Sequence, residues 1–100
     1  MIESFGNKVA RDIWETDFSK SLPRELHLRA KVLLTIMHAT SAVEDLKIKG
    51  SPPNVKLHKL SGDRKGEWSL SLTNQSPWRI TFVFKQGDFH HVRIENYHKG

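Results

Sequence analysis

The stretch WSLSLTNQSPWRITFVFKQGDFHHVRIENY, residues 68–97, decides the fold. In it Trp68, Leu70 and Leu72 alternate with Ser69, Ser71 and Thr73, and after NQSP the residues Trp78, Ile80, Phe82 and Phe84 alternate with Arg79, Thr81, Val83 and Lys85. A period of two places successive side chains on opposite faces of a strand, so each run reads as a strand with one buried and one open face. Gln86, Gly87 and Asp88 make a tight turn into a third strand over 89–97, with Val92 and Ile94 pointing inward. The open face then carries Arg79, Thr81, His91, Arg93 and Tyr97, a polar, basic and partly aromatic surface.

Towards the N-terminus the period becomes helical. Val9, Ile13 and Trp14 predict a first helix over 8–18, before SKSLP interrupts it. Pro23 suits a helix start, and Leu26, Ala30, Leu33, Leu34, Met37 and Ala39 extend a second helix to about Ala42. VEDLKI adds a helical turn, GSPPN is a loop, and residues 2–5 form a short opening strand. The expected class is α+β, with two N-terminal helices packed on one face of a small antiparallel sheet. With 100 residues and 37% apolar content the chain is expected to bury one core, a single domain over 1–100.

Composition narrows the chemistry. The chain has no cysteine, which excludes disulfides, thiolate metal sites and cysteine nucleophiles. No stretch resembles a signal peptide or reaches the roughly 20 apolar residues of a membrane span, so a cytoplasmic protein without membrane contact is expected. The net charge of +5 is uneven: residues 1–50 hold 8 Lys+Arg against 7 Asp+Glu, residues 51–100 hold 8 against 4. His58, His90, His91 and His98 add imidazoles to the basic half. Such a surface suits nucleic acid or an acidic protein. His90 and His91, adjacent on a strand, point to opposite faces, and no bound metal or other cofactor is expected.

LHKLSGDRKGEWSL (57–70), PWRITFVF (77–84) and the terminal IENYH (94–98), with the opening MIESFGNK, resemble the HigB-type host-inhibition toxins of the RelE/ParE superfamily over nearly the whole chain. The resemblance implies a ribosome-dependent endoribonuclease that cleaves messenger RNA in the ribosomal A site. It implies as partners the ribosome and a helix-turn-helix, HigA-like antitoxin, in an assembly that can extend to a heterotetramer of two toxins and two antitoxins. His58 matches the histidine of the LH…GDR motif, Arg79 the WRI arginine, and Tyr97 and His98 the terminal YH, which makes these four the candidate catalytic residues.

Cleavage at a 2′-hydroxyl needs a base, positive charge for the pentavalent phosphorane and an acid for the departing 5′-oxygen. Histidine serves either proton role, and arginine holds two phosphate oxygens without losing its charge. Lys59, Arg64, Lys65, Arg93 and Asn96 are the candidate substrate contacts, although GDRKG also reads as an ordinary charged loop and Arg79 as half of a cross-strand ion pair with Glu95. Strict alternation turns His98 to the parity of Val92 and Ile94, so it meets Arg79 only if the strand ends or bulges. Ser61 stands where relatives often have lysine, and Asn96 where they often have aspartate. Two other readings stay open: a toxin of the same fold that inhibits another target such as DNA gyrase, and a non-catalytic basic nucleic-acid-binding module.

Overall fold

A computed structural model describes residues 1–46, 57–73 and 75–96. Among these residues two α-helices of more than one turn, α1 (Lys8–Thr16) and α2 (His27–His38), precede four antiparallel strands: β1 (His58–Lys59), β2 (Glu67–Ser71), β3 (Trp78–Lys85) and β4 (Asp88–Asn96), which lie side by side in chain order. The expected α+β architecture, with both helices on one face of the sheet, is what the chain adopts. Among the described residues no helix is long and apolar enough to cross a membrane.

The helix boundaries follow from local chemistry. Asn7 starts α1 by accepting from the Ala10 N–H at 3.1 Å through Oδ1, while its Nδ2 donates to the Ile94 carbonyl at 3.0 Å. One side chain therefore caps the helix and docks it on β4. We expect Asn7→Ala to cost about 1–2 kcal/mol in urea melts, the upper part of the range for a lost cap, because the docking bond is lost with it. The helix stops at Thr16, two residues short of the predicted end, because Asp17 turns left-handed at φ 63° and returns its N–H to the Ile13 carbonyl. Lys31 of α2 then donates to the Trp14 carbonyl at 2.7 Å, placing a cation at the negative end of α1. Pro23 leads into a single 3₁₀ turn, Arg24–Leu26, and α2 ends at His38 rather than near Ala42. Of the helical turn expected at VEDLKI, Val43–Asp45 form a second 3₁₀ turn, while Lys47, Ile48 and the expected GSPPN loop lie outside the described residues.

The core forms where the inward rows of β2, β3 and β4 meet the helices. Leu70, Ile80, Phe82, Phe89, Val92 and Ile94 pack against Ala10, Ile13, Ala30, Leu33, Leu34 and Met37, all fully buried or nearly so. Trp68, Trp78 and Phe84, predicted for the same rows, are only half-buried, because they stand at the sheet's ends. Gln86 and Gly87 both take positive φ, the mirror-image turn whose twist matches a hairpin.

The sheet departs from simple alternation in two places. At His91, φ 53°, β4 carries a bulge: Thr81 pairs with Arg93 and Val83 with His90, so Phe82 faces two residues. Phe89 and Val92, three apart, can thus both be fully buried. The opening segment is not a continuous strand. Ile2 and Phe5 form isolated parallel bridges to Phe89 and Val92, joined by bonds such as Gly6 N–H to the Val92 carbonyl at 2.7 Å. These bonds cover the open edge of β4.

Candidate active site

Register brings residues distant in sequence into two rows on the face away from the helices. His58 of β1 lies opposite Ser69, Ser69 opposite Thr81 and Thr81 opposite Arg93; one step along, Ser71 lies opposite Arg79 and Arg79 opposite Glu95. His58 and Arg79 therefore share a face, their Cα atoms roughly 12 Å apart by strand spacing and rise. That separation lets an imidazole and a guanidinium approach one phosphodiester from two sides. His58 is exposed at the sheet edge, whereas Arg79 is half-buried and donates from Nη1 to Ser71 Oγ at 3.1 Å.

The face is less open than the alternation predicts. Ser69, Ser71 and Thr81 are 0%, 2% and 0% exposed, which corrects the expectation of a wet surface carrying Thr81. Arg79 reaches Ser71, and over Thr81 the Gly62–Arg64 turn sends Arg64 back across the sheet. Its Nη1 donates to Glu95 Oε1 at 3.1 Å and its Nη2 to Glu95 Oε2 and Glu67 Oε1, each at 2.7 Å. Nη2 also reaches Thr81 Oγ1 at 3.3 Å, and the Thr81 hydroxyl donates to Glu95. Arg93 adds a looser contact to Glu67 at 3.8 Å. A fork of two parallel N–H···O bonds to a partly buried carboxylate is the strong form of ion pair.

Hydrogen bonds to Glu95 and then to Glu67 hold Arg64 above the ordinary arginine value. For Glu95 burial works to raise the carboxyl, but the bonds from Arg64 and Thr81 and the charges of Arg64 and Arg93 outweigh it and leave the group below its ordinary value of 4.5. A carboxyl depressed in the folded state contributes stability that is present above its unfolded value and lost as pH falls through the folded one. We therefore expect the midpoint of thermal unfolding to fall as pH drops below about 4.5, and Glu95→Gln to flatten that part of the acid limb.

The other candidates divide between two faces. Arg93 joins the Arg79 face, its side chain lying across Gly6, where an added Cβ would come within 2.7 Å of Arg93 Cγ. Lys59 does not: adjacent to His58 on a strand, it turns to the opposite face, with Nζ 5.3 Å from the Trp68 ring centroid. There Lys59, Ser61 and Lys65 line a cleft of about 630 Å³ with Trp68 and Phe84. Asn96, opposite Trp78, lies at a cleft of about 730 Å³ that Phe18, Arg24 and His27 also line. The bulge at His91 lies N-terminal to Arg93 and leaves the parity of 92–96 unchanged. Tyr97 and His98 lie outside the described residues. The sequence offered Glu95 only as a partner for Arg79 and offered Glu67 and Thr81 no role; the signal was Arg64 between two glycines, a basic residue on a turn free to fold back.

Comparison with known proteins gives the geometry its context. Residues 3–98 match the model of the RelE-like toxins of type II toxin–antitoxin systems, HigB. Over 98 residues the chain is 32% identical to the endoribonuclease HigB of Proteus vulgaris, a similarity that spans 98% of this chain and 100% of that protein.

Proposed function

Because the chain belongs to the HigB family of RelE-like toxins of type II toxin–antitoxin systems, we propose that it is a ribosome-dependent endoribonuclease that stops translation by cutting messenger RNA in the A site. The observation that carries this reading is the joint placement of His58 and Arg79 on one sheet face, drawn from strands that the register, not the sequence, brings together. The endoribonuclease activity named for the Proteus vulgaris relative agrees with it.

In the proposed reaction the 2′-hydroxyl loses its proton to a base and attacks the adjacent phosphorus. The bond to the 5′-oxygen breaks, and that oxygen takes a proton from an acid. The products are a 2′,3′-cyclic phosphate and a 5′-hydroxyl. Arg79 holds the non-bridging oxygens as their charge grows, and its seat on Ser71 fixes the guanidinium beforehand. His58 supplies one proton transfer, and Tyr97 and His98, which follow β4, are proposed for the other. This acid–base route uses no metal. Arg93 extends the positive surface along the RNA backbone.

A type II toxin has an antitoxin partner; we take it to be a helix-turn-helix protein, in complexes that reach two copies of each chain. The whole chain, 1–100, is proposed to act as one toxin domain in the cytoplasm, where the ribosomes are. Purified protein added to a translating extract, with RNA ends mapped, tests the reading. Cuts within codons that carry 5′-hydroxyl ends are expected on ribosome-bound message and not on naked RNA. Intact message alongside lost DNA supercoiling would overturn it in favour of a gyrase inhibitor on this fold.

A further inference from the structure

We propose that Arg64 is a positioning residue whose task is to keep the Glu95 carboxylate off Arg79, so that a negative charge built into the phosphate-binding face does not cancel it. The inference rests on the reading of Arg79 as the phosphate ligand.

Arg79 and Glu95 are direct partners in the β3–β4 register. Side chains so opposed have Cβ atoms about 5 Å apart, within easy reach for a carboxylate and a guanidinium. By proximity in the sheet alone they would form the cross-strand ion pair. Instead both oxygens of Glu95 accept from Arg64, at 3.1 and 2.7 Å, and the Thr81 hydroxyl donates to the same carboxylate. Arg79 turns to Ser71, on the other side of β3. Arg64 belongs to neither strand. It arrives from the turn between β1 and β2, and the positive φ of Gly62 (67°) and Gly66 (100°) lets that turn fold back over the sheet.

A merely stabilising ion pair could sit anywhere on the sheet. This one neutralises the acidic group that directly opposes Arg79, and its Arg64 Nη2 also engages Glu67 on the same face. An RNA phosphate arriving at Arg79 would otherwise meet an anion and have to displace it, a cost that appears as weaker binding. Arg64 is thus distinct from an RNA ligand. Its guanidinium is committed to two carboxylates, and its effect on phosphate passes through Glu95.

The test uses the full chain carrying Arg64→Ala, Glu95→Gln, or both, with thermal melts beside two readouts: the dissociation constant for a single-stranded RNA oligonucleotide and the KM and kcat of ribosome-dependent cleavage. Arg64→Ala is expected to raise the dissociation constant and KM by roughly tenfold, with a smaller change in kcat, and the double variant to return both to within roughly threefold of the parent. A double variant as weak as Arg64→Ala would make Arg64 an RNA ligand and overturn the proposal. Melting temperatures that fall while RNA affinity holds in every variant would reduce the pair to a structural one and overturn it as well. If Arg64→Ala does not fold, Glu95→Gln alone decides: removing the anion must leave RNA affinity unchanged or higher, and weaker binding sinks the idea. Arg79→Ala separates the two levels, since unaltered RNA affinity there would refute the phosphate reading itself.

Discussion

Replacing Arg79 with alanine is expected to slow ribosome-dependent mRNA cleavage by about two to three orders of magnitude, the usual loss when one pre-positioned donor to a developing oxyanion is removed. Arg79 stands on β3 between Ser71 and Glu95 on the face that His58 shares, with its guanidinium already tied to Ser71. Arg79 is half-buried on the sheet face away from the core, so truncation leaves Ile80 and Phe82 in place. The variant should therefore melt within about 1 kcal/mol of the parent. Arg79→Lys keeps the charge but loses the planar fork, and we expect it to recover no more than about a tenth of the rate, because a point charge cannot hold two oxygens at once. Cleavage assays on purified, folded variants decide the matter. Full activity in the alanine variant would remove Arg79 from the reaction.

The second large effect is expected at His58. His58→Ala should lower kcat by about two to four orders of magnitude, the range for a general acid or base, with little change in KM for the ribosome complex. The residue is exposed on a two-residue strand at the sheet edge, so its loss should change stability by less than about 0.5 kcal/mol. His58→Gln keeps the size and the hydrogen bonding but not the proton chemistry, and is expected to be as inactive as the alanine form. A pH–rate profile that loses one limb in either variant would identify the proton transfer. Unchanged profiles together with a raised KM would assign His58 to binding instead.

The parts of this fold legible in the sequence are those governed by one period over many residues. WRITFVF alternates cleanly and is β3; the apolar stripe from Leu26 to Met37 is α2, with the stop set by local hydrogen bonds that no periodicity encodes. The bulge left a trace that no regular period explains, since Phe89 and Val92 are three apart and turn to one face only if the strand gains a residue, but nothing local marks His91 as the residue that turns left-handed. β1 was illegible, since two residues carry no period, and with it went the opposed placing of His58 and Lys59. The burial of Thr81 beneath Arg64 shows a further limit. Alternation states which face a side chain takes, but a turn that folds back over that face is a long-range event. Of the candidate site, the union of His58 with Arg79 follows from pairing, and the engagement of Arg64 with Glu95 from a turn whose glycines were visible but whose destination was not.

The bridges from Ile2 and Phe5 to β4 bear on the order in which the molecule folds. Residues 2–6 have their sheet partners far along the chain, as the Ser4 hydroxyl accepting from the His91 N–H across 87 positions illustrates. Contacts so far apart along the chain close late in folding. A nascent copy thus has its helices before it has the sheet edge that seats Arg93 over Gly6. That edge closes only when segments 87 positions apart have met, so it is also the part of the toxin that a local disturbance at either segment would open first.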